Sequence, residues 1–234
     1  MYTVDLVNQE LEKYCVYMNC HLPNVTNIQH CDIGGAIAKF VPDKPSLNAY
    51  TIQISPSLYE KDIYRQQAII WHEFTHLYDW YFYNVEKQDV TKILYTYSEA
   101  HATEIAYRKL LSLNTKQTIG AEARFLKITT KRTYKEEMAQ MLFDVQESIQ
   151  DFQNSKSSDT LTDVIRVLSY YCGGCLLFNN KIRTAYVLSL QKLIPIYGKC
   201  LTNYADAIFS RNCNIILQAR QTIIDTLMFN KNLL

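Results

Sequence analysis

Glycine and proline are scarce in this chain, six and five among 234 residues. The few that occur therefore act as punctuation, at Gly34-Gly35, Pro42, Pro56 and Gly173-Gly174. Charge of one sign is also missing. Lys plus Arg number 24 and Asp plus Glu 23, a formal net charge of +1. That balance argues against a dedicated nucleic-acid binder. With 48% hydrophobic residues, it also excludes the disordered class. Lys127, Lys131, Arg132 and Lys135 read as a solvated helix face. No long apolar run exists. The most apolar later stretch, Val167 to Phe178, is far short of the roughly 20 residues a bilayer requires. Met1 to Glu10 has neither a basic n-region nor an apolar h-region, so no signal peptide is expected. The expectation is a soluble cytoplasmic protein with no membrane and no nucleic-acid partner. An even cysteine framework is lacking too. The seven cysteines are expected to be reduced in that compartment. Cys172-Gly-Gly-Cys175 has no second C-x-x-C to pair with and reads as buried thiols at a glycine break in a helix. Cys15, Cys20, His21, His30 and Cys31 fit no standard spacing for a structural zinc.

What is present is strong periodicity. Asp5 to Met18 has a helical pattern. His21 to Asp32 reads as irregular, and Ile33 to Val41 as a strand closed by Pro42. Asn48 to Ser55 alternates, with Tyr50, Ile52 and Ile54 on one side, and is a half-buried strand. Pro56 ends it, and Ser57 is placed to cap the helix that follows. Ser98 opens a second helix running to about Leu113. The remainder reads as helices over Ala121–Gln153, Thr160–Phe178, Thr184–Leu193 and Tyr204–Leu227. The expected fold is α+β, mostly α. Residues 1–115 would form a core containing a small antiparallel sheet, and residues 116–234 a helical extension packed on it.

The most informative residues are His72-Glu73-Phe74-Thr75-His76, an HExxH pattern. Ile63, Gln67, Ile70, Phe74, Leu77 and Tyr81 step along one helical face around it, and both histidines lie off that stripe. Residues four apart stand one turn above each other. His72 and His76 can therefore hold one Zn2+ through two imidazole nitrogens. Glu73 is rotated about 100° round the helix, beside the metal rather than on it. There it can act as the base that takes a proton from water. A catalytic zinc usually takes three protein ligands and leaves one position open. Downstream, Tyr97-Ser98-Glu99-Ala100-His101-Ala102-Thr103-Glu104 offers Glu99, Glu104 and His101 for the third. Tyr97, Tyr95 and His101 are candidate donors to an oxyanion.

HEFTH, followed by a helix carrying Glu-Ala-x-Ala, resembles the gluzincin zinc metallopeptidases. These include the thermolysin-like enzymes and the small phage- and mobile-element-associated peptidases related to the ImmA/IrrE proteins. The resemblance covers roughly Asn48 to Leu113. It implies a zincin-like, minigluzincin fold for the N-terminal half and hydrolysis of peptide bonds in a protein or peptide substrate. It also implies that Glu99 is the third ligand, 99 − 76 = 23 residues after His76. Ala100 and Ala102 would be the small residues that let two helices approach, and Glu104 is the rival ligand. In such families a sheet edge beside the metal pairs with extended substrate, and Asn48–Ser55 is the candidate edge. The thermolysin-like pattern places an acid four residues after the ligand, where this chain has Thr103. The carboxylate that orients a histidine must then come from elsewhere, with Asp79 and Glu104 as candidates. The third His, Gly and Met-turn of metzincins are lacking. The competing function is a latent or inactive zincin that binds a partner, such as a phage-encoded modulator of a host protein. Nothing in the sequence fixes an oligomeric state.

Overall fold

The computed structural model describes residues 1–44, 49–85, 94–125, 132–193 and 195–229, with the side chains of 42–44, 49, 83–85, 94–95 and 193 left out. The protein is α+β and mostly helical, with one small three-stranded sheet among the described residues. It divides into two compact units. The first comprises Met1–Gln88, Ile105–Gln117 and Phe125–Lys131; the second comprises Asp89–Glu104, Thr118–Arg124 and Arg132–Leu234. Among the described residues, no helix is long and apolar enough to cross a membrane.

The first unit opens with α1, Val4–Met18, capped by Thr3, whose side chain accepts from the Leu6 N–H. Val7, Leu11 and Tyr14 form its buried face, while Leu6 is exposed. Three strands follow: β1 Asn27–His30, β2 Ala38–Lys44 and β3 Ala49–Ile54. The expected antiparallel sheet is instead mixed, in the order β1-β3-β2. β3 pairs antiparallel with β2 and parallel with β1. Two reversals of chain direction separate β1 from β3, so the two run the same way. β1 lies inside the stretch expected to be irregular. β2 begins after the Gly34-Gly35 turn, where both glycines have positive φ, and it continues through Pro42 to a bulge before Lys44. β2 is an edge strand, and such strands tolerate proline because the missing N–H falls on the unpaired side.

A 3-10 turn, Pro56–Glu60, is capped by Ser55. The helix bearing HExxH, α2 Ile63–Val85, starts later than Ser57 would have it. Its cap is Asp62, whose carboxylate accepts from the Tyr64 and Arg65 N–H groups at 3.1 and 3.0 Å. Ile70, Phe74 and Leu77 of the expected stripe are buried, whereas its ends Ile63 and Tyr81 are exposed. Trp80 fixes α2 to the sheet, 6.2 Å from the Phe40 ring and 5.7 Å edge-on from Tyr50. Tyr14 fixes it to α1, edge-on to Trp71 and Phe74 at 5.5 and 5.6 Å. Burying such aromatic rings contributes about 2–3 kcal/mol each.

The second unit begins with a π-helical turn, Leu94–Ser98, that leads straight into α3, Glu99–Leu111. Glu99–Glu104 group with this unit and Ile105–Leu111 with the first. The helix expected from Ala121 starts only at Tyr134. It forms α4, Tyr134–Ser155, under a capping box of Thr133 and Glu136. α5, Ser158–Cys175, is capped by Ser157. It runs unbroken through Gly173-Gly174, so the expected glycine break is absent, although both thiols are fully buried as expected. α6 is Asn180–Leu193. The single helix expected over Tyr204–Leu227 is two, α7 Gly198–Ser210 and α8 Cys213–Phe229. The chain turns between them at Arg211, which has a φ of +55°.

Candidate metal centre

α2 brings His72 and His76 to one face, as their spacing of four requires. Their Nε2 atoms lie 3.1 Å apart and their rings stand nearly perpendicular, with an interplanar angle of 84°. Two imidazoles on a tetrahedral zinc at about 2.0–2.1 Å hold their nitrogens roughly 3.3 Å apart. The pair fits a shared ion to within a few tenths of an ångström. The same separation suits an N–H···N bond between neutral imidazoles, so the ring geometry serves the loaded and the empty site alike. Among the described residues, His72, Glu73 and His76 are the one cluster of three metal-ligating side chains, with ligand atoms within 4.8 Å of one another. Cys15, Cys20, His21, His30 and Cys31 form no such cluster.

Glu73 is buried at 6% exposure, whereas both histidines are partly open to solvent. One carboxylate oxygen, Oε2, accepts the backbone N–H of Phe40 at 2.7 Å. In an antiparallel pair, N–H groups turn alternately toward the partner strand and away from it. The Phe40 N–H turns away from β3 and toward α2. A charge-assisted bond of this kind is short and strong. It fixes the Glu73 rotamer and leaves the second oxygen for another proton donor. Phe40 went unnoticed in the sequence because its contribution comes from the main chain, which no side-chain motif signals.

The same contact corrects the expected substrate edge. β3 is paired on both sides, by β1 and β2, and offers no free edge. The edge that faces Glu73 is β2.

Beneath the histidines, α2 is held by polar contacts. The Tyr14 hydroxyl donates to Thr75 Oγ1 at 3.1 Å, and Thr75 donates to the Trp71 carbonyl at 2.9 Å. Burial, together with the Asp79 charge, keeps the Tyr14 phenol well above its ordinary range, so it stays a donor. Glu10, itself buried, accepts from the Trp71 indole N–H at 3.4 Å and pairs with Lys13 at 2.6 Å. Lys109 lies 4.1 Å over the Trp71 ring and 3.8 Å from Glu10. Trp71 and Thr75 each precede a histidine, so this network sets the rotation of the helix that aims them. Asp79, one of the two candidate orienting carboxylates, is buried on the same helix at 1% exposure.

The remaining candidates fall in the second unit. Glu99 is the first residue of α3. Tyr97 and His101 are both buried there and stack at 5.5 Å. The Tyr95 side chain lies outside the described residues, as do Lys127, Lys131 and Asn48. Glu104 is 2% exposed, and its carboxylate accepts from the Arg211 guanidinium at 3.1 and 3.4 Å. A buried carboxylate held in this way has lone pairs committed to a cation of the protein itself.

No family model, no curated protein and no solved structure matches this chain.

Proposed function

We propose that this protein is a zinc-dependent metallopeptidase of the gluzincin kind, with His72, His76 and Glu99 as ligands and Glu73 as the general base. One observation carries the reading. Two Nε2 atoms 3.1 Å apart sit beside a buried carboxylate whose orientation is fixed by the edge strand. A bound zinc would acidify water and polarise the scissile carbonyl. The protein's own groups do the rest. Glu73 takes the proton of the attacking water on its free oxygen and delivers it to the leaving amine. The Phe40 N–H keeps that carboxylate aimed throughout. The outward edge of β2 suits an extended peptide, which can add to it as a further strand. Tyr97 and His101 are the candidate donors to the oxyanion.

The test combines metal analysis with proteolysis of an unfolded polypeptide. Wild-type protein should bind about one zinc per chain and cleave, and chelation should stop cleavage until zinc is restored. Glu73→Gln should keep the zinc and lose activity by at least about 10²-fold, the usual scale of general-base catalysis. If Glu73→Gln retained the full biological effect of the wild type, partner binding would replace hydrolysis as the function.

A further inference from the structure

We propose that Gly173 of α5 is a positioning residue for Glu99, setting where the first turn of α3 stands. The proposal rests on the reading of Glu99 as a zinc ligand. Gly173 is a buried glycine in the last turn of α5, where alanine would be the better helix former. Its reason for being there is contact. A Cβ at this position would overlap the Ala100 carbonyl oxygen. It would also lie 3.0 Å from the Ala100 carbonyl carbon and 2.9 Å from Thr103 Cβ. Two of those three atoms are backbone and cannot swing aside. Ala100 follows Glu99 directly and shares the first turn of α3 with it, so a displacement of that turn carries Glu99 along.

The adjacent glycine supplies the contrast. A Cβ on Gly174 would meet Met138 Sδ at 2.6 Å, and Met138 Cε and Met141 Sδ at 3.3 Å each. Those are the ends of flexible thioether side chains, which can repack. The two neighbours thus do different work. Gly174 admits α4, and Gly173 admits the turn that carries Glu99.

α5 is itself held firmly enough to serve as a reference surface. One turn before Gly173, the Ser169 hydroxyl donates to the Ile165 carbonyl at 2.8 Å and accepts from the buried Tyr204 hydroxyl of α7 at 2.8 Å. Burial drives the Tyr204 phenol well above its usual range, so its hydroxyl stays protonated and donates. Within the same α3 segment, four residues on from Ala100, Arg211 clamps Glu104. Glu99–Glu104 is therefore fixed from α5 and from the end of α7 at once. A ligand must be held within about 0.5 Å of its working position, and the Gly173–Ala100 contact is the backbone stop that does so.

The experiment measures zinc dissociation constants of the full chain by competition with a chromophoric chelator, with cobalt spectra as a readout of coordination. Gly173→Ala should keep its helical circular dichroism, bind zinc about 10–100-fold more weakly and alter the cobalt spectrum. Gly174→Ala should match the wild type in both. Thr103→Leu crowds the same contact from α3 through a side chain, and should weaken zinc in the same sense. Folded Gly173→Ala with wild-type zinc affinity overturns the proposal. If Gly173→Ala does not fold, wild-type affinity in Thr103→Leu overturns it. Wild-type affinity in Glu99→Ala would be a different failure, sinking the ligand assignment on which the proposal stands.

Discussion

The two imidazoles of HEFTH meet because four helical residues turn the chain through about 400° and climb about 6 Å. This much was legible in the sequence: the paired imidazoles, the carboxylate beside them and the apolar stripe that buries much of the helix. The Phe40 contact was not, since it depends on strand register and on a backbone N–H. Replacing either His72 or His76 by Ala should remove the bound zinc, read by metal analysis of the purified variant. Full retention in both would place the metal elsewhere. The thiols of Cys172 and Cys175 invite a second expectation. Burial pushes both well above the ordinary thiol range. The thiolate is the reactive form, so neither cysteine should be alkylated by iodoacetamide near pH 8 in the folded protein. Both should react once it is unfolded, as peptide mass mapping would show. Rapid labelling of either in the native state would mean that α5 opens.

At the scale of elements, periodicity located most helices but not their ends. Ala121 to Gln153 carries one amphipathic pattern, yet α4 begins at Tyr134 because Thr133 and Glu136 stop it there. The Thr133 side chain accepts from the Glu136 N–H, and the Glu136 carboxylate accepts from the Thr133 N–H at 2.6 Å. Capping also separates α7 from α8, where the left-handed turn at Arg211 interrupts an apolar pattern that reads as continuous. Thr133→Ala should lower stability by about 1 kcal/mol in chemical denaturation. No change would mean that the box is not formed in solution. Its pH dependence has a definite sign. The bond from the Thr133 N–H, chiefly, holds the Glu136 carboxyl below its ordinary value of 4.5. The stabilisation is therefore present above that value and fades as pH falls below it. Denaturation midpoints of the wild type and Glu136→Gln should converge in acid, and a gap that widened there would refute the assignment.

For the molecule as a whole, composition and period gave an α+β, mostly helical chain. They could not give the parallel pairing of β1 with β3, a choice made by contacts more than twenty residues apart in sequence. If zinc binds the native state alone, it should raise the melting temperature with the logarithm of its excess. The gain is about 2.7 kcal/mol at a hundredfold excess over the dissociation constant, and His76→Ala should abolish it. An equal rise in that variant would identify the effect as nonspecific. The mixed sheet has one more consequence, for the quality of any preparation. Side chains and N–H groups alternate along β2, so a slip of one residue against β3 would turn the Phe40 N–H inward and present a different peptide to Glu73. The histidines belong to a single helix and would not notice. Such molecules would be metal-replete but inert, and specific activity per bound zinc would then count the fraction of chains whose strands had been joined in the correct register.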